Sequence, residues 1–334
     1  MNTSQAVLAS AGANAGTLKQ ELHACQVELI TDVCTSTGEA ITALGDMRRT
    51  VRATGAGVLG AGTHPSALEG SAEITDQARY ERIRHLLGDA AVTPVAGLHV
   101  HVGMPDADTA IRAFNGLREH LPLLNALAAN SPFRHGRDTG LASAREVTLR
   151  SWPRSGVPRA LRDFAEFEER SELLCRAAGV EDYTWFWWKL RPHPQLGTVE
   201  VRALDAQSTL EDNAALVALT HCLARHAAES DTVPATPPEL LEEGLFRAAR
   251  FGTVAQLPDA DGRLHDVDEL LDEAIATASG YARELGCQAE LATLPDLLAR
   301  GGGAGRQRGF YEIAGMDVLL RQLSAVTGGP PPDR

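Results

Sequence analysis

Two histidines lie two residues apart in a stretch whose spacing suggests chemistry. His99 and His101 fall within Gly97–Gly103, where polar and apolar residues alternate strictly. In a β-strand this alternation places both imidazoles on one face and the three branched aliphatic residues on the other. Two imidazoles at this spacing can share a small ligand or a metal ion. We expect one of the two to have a structural role.

Two more predicted strands carry polar side chains on one face. Residues 198–202 present Glu200 and Arg202 together, and residues 26–30 present Gln26 and Glu28. We expect the histidine strand in the centre of an antiparallel sheet. The other two strands would then turn their polar groups to the same concave side. The open face of such a sheet is a candidate site.

Carboxylates and imidazoles from these strands predict a cation site. Glu28, His99 or His101, and Glu200 offer mainly oxygen ligands and no sulfur, a set that suits Mg²⁺ or Mn²⁺. Magnesium in turn indicates a phosphate-bearing substrate. The alternative is that each is an ordinary polar residue on a solvated sheet face.

Arginines recur where predicted loops meet strands. In an acidic chain this clustering indicates an anion-binding cavity, because the planar guanidinium matches carboxylate and phosphate oxygens. A solvated surface position is the expected alternative for at least half of them. Arg250 shares a helix face with Glu243 and Arg247. These residues could form a surface ion pair, or the helix could bring Arg250 to the site. The recurring arginines are Arg134, Arg137, Arg145, Arg150, Arg154, Arg191 and Arg202.

Composition narrows the class of protein. The 334 residues carry 31 Lys and Arg against 44 Asp and Glu, a net charge of −13. This balance argues against nucleic acid or an anionic membrane as the main partner. No run of 18 apolar residues predicts a transmembrane helix. The 5 cysteines have no C-x-x-C spacing, which is typical of reduced thiols in a cytoplasmic protein.

The predicted elements form an α+β chain. Strands are confined to the first 205 residues, and helices dominate from about residue 239 onward. We predict a flexible leader at residues 1–16, one catalytic domain at 17–327, and a loose tail at 328–334. A proline-containing linker at 231–238 precedes the helical C-terminal part.

A series of motifs, in order along the chain, resembles glutamate–cysteine ligase family 2, also described as carboxylate–amine ligases. The likeness runs from about residue 17 to residue 324. The matching motifs are Lys19-x-Glu21-Leu22 with Gln26-Val27-Glu28, Gly62-Thr63-His64-Pro65, Gly97–Gly103, Ala129–Phe133, Gly136-x-Asp138-Thr139-Gly140, Trp152-Pro153-Arg154-x-Gly156, Trp187-Trp188-x-x-Arg191-Pro192, Gly197–Arg202, Arg247–Gly252 and Arg306–Arg308.

The resemblance implies a glutamine-synthetase-like fold: a curved antiparallel sheet with helices on its convex side and a helical C-terminal region. It also implies activation of a carboxylate by ATP to an acyl phosphate, followed by attack of an amine such as cysteine. The cofactor would be Mg²⁺ or Mn²⁺, the partner a small amino-acid substrate, and a homo-oligomer remains open. The implied site residues are Arg191, Arg202 and Arg250 as catalytic groups, Asn130, Arg145, Arg154 and His64 for substrate, and Glu28, His99, His101 and Glu200 for metal.

Three departures from the family pattern leave two functions open. Members usually open with a strand reading Gly-Val-Glu-Glu-Glu-Phe, whereas residues 1–16 contain no acidic residue. Lys189 replaces an acidic residue, and Gly244 replaces an asparagine. The chain is therefore expected to be an ATP-dependent ligase. The alternative is a degenerate or repurposed homologue with weak or no use of ATP, which binds an amino acid or another small carboxylate or catalyses a changed reaction.

Overall fold

The computed structural model of the chain describes residues 3–11, 18–230 and 236–328. Its strands are β1 Leu18–Gln20, β2 Val27–Leu29, β3 Gly97–Gly103, β4 Phe133–Arg134, β5 Arg137–Asp138, β6 Leu190–His193, β7 Thr198–Asp205, β8 Gln256–Pro258 and β9 Leu264–Asp266. Its helices are α1 Thr3–Ser10, α2 Thr37–Ala53, α3 Ala78–Leu87, α4 Ala107–Ala128, α5 Ala144–Leu149, α6 Phe164–Ala178, α7 Leu210–Glu229, α8 Pro238–Phe251, α9 Val267–Ala282, α10 Gln288–Leu291, α11 Leu294–Ala299 and α12 Gly302–Gly328.

A three-stranded antiparallel sheet in the order β3–β7–β6 positions the predicted site residues. The prediction that the histidine strand is central is wrong: β7, which carries Glu200, is central and β3 lies at one side. The reason is the short connection after His193, which folds β6 back onto β7 through Gly197 at φ 61°. Ahead of β6, Tyr183–Trp185 form a 3₁₀ turn, and strand pairing begins at Leu190.

The register places the expected side chains on one face. His101 pairs with Glu200, which pairs on its other side with Arg191. Between the pairs Leu98–Leu204 and Val100–Val201 the register shifts, so that His99 faces two residues of β7, Arg202 and Ala203. This is a β-bulge, which bends a strand and re-aims its side chains. We call the face that carries His99, His101, Arg191, Glu200 and Arg202 the polar face.

The opposite face of the sheet is covered by helices. Val100, Val102, Val199 and Val201 form one hydrophobic core with the buried faces of α4 and α7, where α4 contributes Leu117, Leu121 and Leu124 at helical spacing. The helices therefore lie on the apolar side, and on the polar face the side chains of His99 and His101 stay about one third exposed. This arrangement confirms the predicted α+β class. The prediction that strands are confined to the first 205 residues is wrong, because β8 and β9 form a short antiparallel hairpin within the helical C-terminal part.

The strand of Glu28 belongs to a different sheet from the histidines. β2 pairs antiparallel with β1, with Glu28 opposite Lys19, and this hairpin is not hydrogen-bonded to the β3–β7–β6 sheet among the described residues. The expectation of one sheet holding all three strands is therefore wrong. Alternation within each strand fixed the faces, but it carries no information about which strands pair.

The N-terminal segment is not a flexible leader over residues 3–11. α1 packs Val7 against Leu18, Met47 and Val51, and Val7 is only 5% exposed. Ser4 also donates its backbone N–H to the carbonyl of Ala24. The rest of the predicted leader, most of the tail and residues 231–235 of the predicted linker lie outside the described residues.

The C-terminal region is helical, as predicted. α12 breaks at Ala314 and Gly315, where Gly315 adopts φ 77°. Arg300 and Arg306 donate to the buried carboxylate of Asp212, which attaches this region to α7. Among the described helices none has the length and apolar character needed to cross a membrane.

Candidate active site

The polar face is organised around the buried carboxylate of Glu200. Glu200 is 2% exposed; Arg191 Nε donates to its Oε2 at 2.6 Å, and Arg202 donates to its Oε1. Burial alone would raise the pKa of Glu200, but Arg202, His101 and Arg191 together hold that pKa well below its usual range. Glu200 is therefore ionised and bonded to two cations.

Arg191 is held on two sides. Besides Glu200, its Nη1 donates to the backbone carbonyls of Tyr183, Thr184 and Phe186, at 3.2, 3.3 and 3.1 Å. The 3₁₀ turn that supplies these carbonyls is itself fastened to α3, because Arg79 bonds to Thr184. Arg191 therefore has little freedom to reorient, and its position is set by the backbone of the turn.

Both predicted histidines face Glu200. His101 Nε2 lies 3.5 Å and His99 Nδ1 lies 3.8 Å from Glu200 Oε1, and each side chain is about one third exposed. The surrounding protein and then Arg202 lower the pKa of His99 well below its ordinary value. His99 is therefore neutral at pH 7 and can accept a hydrogen bond or a proton.

A third histidine on the polar face was not predicted. His193 ends β6 opposite Thr198, and its ring packs edge-on against His101 with centroids 5.6 Å apart. Its Nδ1 lies 3.3 Å from the Tyr183 hydroxyl. The signal was available, since His193 is two residues beyond Arg191 and shares its face by strand alternation.

Arg145, predicted to bind substrate, is buried beneath the β-bulge instead. It is 3% exposed, and its Nη2 and Nη1 donate to the carbonyls of Arg202 and Ala203 at 3.0 and 3.4 Å. Its Nη1 also lies 3.6 Å from the Asp205 carboxylate. A guanidinium occupied in this way is not available to a ligand, so the substrate contact predicted for Arg145 is corrected to a backbone contact.

Asn130 likewise has a structural place. It is fully buried, its backbone N–H donates to Asp205, and its side-chain amide donates to the carbonyls of Gly60 and Ala206. Its side-chain oxygen accepts from Gln307. Because these bonds use both ends of the amide, the prediction of a substrate contact is corrected: Asn130 joins separate chain segments.

The other predicted residues contact backbone groups of loops and turns. His64 is exposed, and its Nδ1 accepts from the backbone N–H groups of Ser66 and Ala67. Arg154, at φ 57°, donates to the carbonyl of Trp185. Arg250 is exposed and donates to the carbonyl of Gly140. The functional roles of His64, Arg154 and Arg250 stay predictions.

Lys189, which departs from the family pattern, forms a buried ion pair. Its Nζ lies 2.6 Å from Glu146 Oε2, and the two residues are 2% and 0% exposed. Burial lowers the pKa of Lys189, and Glu146 opposes that shift. The pair joins the residue just before β6 to α5, and the backbone carbonyl of Lys189 accepts a hydrogen bond from the Arg202 N–H.

The predicted cation ligands are only partly assembled. Within residues 3–11, 18–230 and 236–328, no three His, Cys, Asp or Glu side chains are grouped so as to hold a metal ion. Both oxygens of Glu200 already accept from arginines. Burial and then the charge of Glu21 raise the pKa of Glu28. The charges of Arg202 and Glu200 have smaller effects on it. The donor set as it stands does not fit a divalent cation, and the metal roles of Glu28, His99, His101 and Glu200 stay predictions.

Comparison with known proteins gives the class. The family model of glutamate–cysteine ligase family 2 matches residues 3–317, and the chain belongs to this family. A Rubrobacter xylanophilus protein with the provisional name glutamate–cysteine ligase 2-3 is 42% identical over 299 residues, covering 88% of this chain and 82% of that protein. A Mycolicibacterium smegmatis protein provisionally named glutamate–cysteine ligase 2-1 is 37% identical over 321 residues, covering 93% and 85%.

Solved structures share the fold at low sequence identity. A bifunctional glutathione synthetase from Pasteurella multocida has a TM-score of 0.69 at 16% identity, covering 94% of this chain. The chain spans 48% of that protein's length. A glutamate–cysteine ligase from Francisella tularensis, solved with AMP, has a TM-score of 0.66 at 11% identity, covering 97% of this chain and 84% of that one. These likenesses confirm the glutamine-synthetase-like α+β fold.

Proposed function

We propose that the chain is an ATP-dependent carboxylate–amine ligase that joins the side-chain carboxylate of glutamate to an amine such as cysteine. The observation that carries this proposal is the polar face, where two arginines converge on one buried glutamate in a member of glutamate–cysteine ligase family 2. The set of Arg191, Glu200 and Arg202 has a net charge of +1, which favours an anionic ligand.

The proposed reaction has two steps. A carboxylate oxygen of glutamate attacks the γ-phosphorus of ATP, the bond to the β–γ bridging oxygen breaks, and ADP leaves with that electron pair. The amine nitrogen then attacks the acyl carbon, phosphate leaves with the C–O electron pair, and the nitrogen loses a proton. ATP would bind as its Mg²⁺ or Mn²⁺ complex, the usual form of the nucleotide in phosphoryl transfer.

The chain's own residues would act by charge and orientation. Arg202 would neutralise developing charge on the transferred phosphoryl group, because its guanidinium is 18% exposed and directed by Glu200. Arg191 is held by three carbonyls and would keep the Glu200 carboxylate in place. Glu200 would in turn keep the Arg202 guanidinium oriented towards the phosphoryl group. His99, kept neutral, could accept the amine proton. The five free cysteines fit the reducing cytoplasm that we propose as its location.

Amine-dependent release of ADP tests this proposal. Wild-type chain with ATP, Mg²⁺, glutamate and a panel of amino acids should release ADP and phosphate in equal amounts, and at least one amine should accelerate the release. Arg202→Lys should reduce the rate by about 10²–10³-fold, because a lysine cannot reproduce the guanidinium fork.

Arg176→Lys is the matched control, since the Arg176 side chain is 70% exposed on α6 and pairs with Glu172 at 3.6 Å. It should leave the rate unchanged. Binding of glutamate without any ADP release would favour instead the repurposed homologue that binds a small carboxylate.

A further inference from the structure

The β-bulge in β7 leaves backbone groups that need partners outside the sheet. Arg202 and Ala203 together face the single residue His99, so the regular ladder of hydrogen bonds is interrupted there. A buried carbonyl without a partner is costly, so such groups are normally satisfied by side chains. At this bulge the Arg145 guanidinium supplies hydrogen bonds to both carbonyls, and Asn125 of α4 also donates to that of Ala203.

The Arg145 guanidinium is itself fixed from behind. Asp205 lies 3.6 Å from its Nη1, and that carboxylate accepts hydrogen bonds from the hydroxyls of Ser131 at 2.6 Å and Ser143 at 2.9 Å. Gly97 leaves the room that the guanidinium needs, because a Cβ there would lie 2.4 Å from Arg145 Nη2. Several chain segments thus converge to hold one side chain against the backbone of Arg202.

We propose that Arg145 is a positioning residue, which holds the bulge so that the Arg202 side chain is directed at Glu200 and at the anionic substrate. This inference rests on the proposed function and goes beyond it by assigning a role to a residue that no substrate can reach. A displacement of about 1 Å in a catalytic group can cost about 10²-fold in rate. Because Arg145 donates to the carbonyl of Arg202 itself, a displaced Arg145 guanidinium shifts the backbone that carries the Arg202 side chain.

Arg145→Lys is the most informative variant. A lysine keeps the positive charge near Asp205, but its single ammonium cannot reproduce the two-armed contact with both carbonyls. Arg118→Lys is its matched control: Arg118 is also buried, at 1% exposure, and donates to the carbonyls of Pro158 and Thr236, with no described contact to the polar face. Equal losses of melting temperature in the two variants would make their other properties directly comparable.

The first readout is the ¹⁵N signal of the Arg202 side chain, assigned by its disappearance in Arg202→Lys. We expect this signal to shift or broaden in Arg145→Lys and to stay in place in Arg118→Lys. Gly97→Ala should move it as well, by displacing the Arg145 guanidinium, whereas Gly103→Ala should not, because nothing lies within 4 Å of a Cβ there. An unmoved Arg202 signal in folded Arg145→Lys overturns the proposal.

The second readout is kinetic. For Arg145→Lys we expect kcat to fall about 10–100-fold with KM for glutamate changed less than threefold, because Arg145 acts on orientation and not on contact with substrate. Arg118→Lys should keep the wild-type kcat. Equal kcat in both variants at equal stability would mean that Arg145 is structural only, and would overturn the inference.

The design separates failure of this inference from failure of the proposed function. If the wild-type chain releases no ADP with any amine, the ligase proposal fails, and the positioning role is decided by the NMR signal together with binding of inorganic phosphate measured by calorimetry. Arg145→Lys should then weaken phosphate about tenfold relative to Arg118→Lys. Equal phosphate affinity with an unmoved Arg202 signal would leave Arg145 without a positioning role.

Discussion

Replacing Glu200 by glutamine isolates the centre of the polar face. The substitution keeps the shape of the side chain, removes its charge, and leaves Arg191 and Arg202 without the carboxylate that both of them contact. Glu200 and Arg191 are 2% and 8% exposed and Arg202 is 18% exposed, so water compensates little. Breaking a buried ion pair by removing one partner costs about 3–5 kcal/mol, and we expect Glu200→Gln to lower the free energy of unfolding by that amount.

A second Arg–Glu–Arg group in the same chain provides the control. Glu166 on α6 lies between Arg162 and Arg170, whose side chains are 76% and 47% exposed. Glu166 itself is 9% exposed, but its two arginines stay hydrated and a glutamine oxygen can still accept from the Arg162 N–H, so Glu166→Gln should cost about 1 kcal/mol. Urea titration of wild type and both variants at pH 7 gives the two differences directly.

The pH dependence checks the same interpretation. The pKa of Glu200 is lowered in the folded chain, so its contribution to stability is present above the unfolded glutamate pKa of about 4.3 and is lost as pH falls towards the folded pKa. The gap between wild type and Glu200→Gln should be full at pH 7 and narrow below about pH 4. If Glu200→Gln costs no more than Glu166→Gln at pH 7, the buried Arg–Glu–Arg interpretation is refuted.

Two further predictions concern buried groups. Lys189→Met should lower the free energy of unfolding by about 3–5 kcal/mol in a urea titration, because it leaves the Glu146 charge unpaired. Adding Glu146→Gln should recover most of that loss. A double variant as unstable as the single one would contradict the pairing. Burial raises the pKa of Cys222 to about 12 and raises that of Cys287, so neither thiol should be alkylated by iodoacetamide at pH 8 until the chain is unfolded. Modification of either one in the native chain, detected by peptide mass, would show that this region opens.

Much of the polar face could be predicted because it depends on local alternation. A period of two in residues 97–103 and 198–202 places His99, His101, Glu200 and Arg202 on one side, and the structure confirms that they share a face. The α+β class followed from strands early and helices late in the chain. The motifs were sufficient to identify the family, because they occur in the family's order along the chain, although each motif alone would be a weak signal.

The remaining features depend on contacts that no local pattern records. The β-bulge changes the register by one residue, and only the pairing of β3 with β7 reveals it. By residue type alone, Arg145 could be predicted to bind substrate. Its burial depends on the room left by Gly97, which is far away in the sequence. Similarly, Glu28 alternates as expected but pairs with Lys19 in a separate hairpin. Tertiary pairing decided each of these cases.

The fate of the carboxylate oxygen tests the central claim most directly. Glutamate labelled with ¹⁸O in its side-chain carboxylate is incubated with the chain, ATP, Mg²⁺ and the amine that accelerates ADP release, and the released phosphate is examined by ³¹P NMR. Activation through an acyl phosphate predicts one ¹⁸O atom per phosphate, because the oxygen that attacks phosphorus leaves with it when the amine forms the amide. Phosphate without ¹⁸O, or label recovered in AMP, would contradict the account.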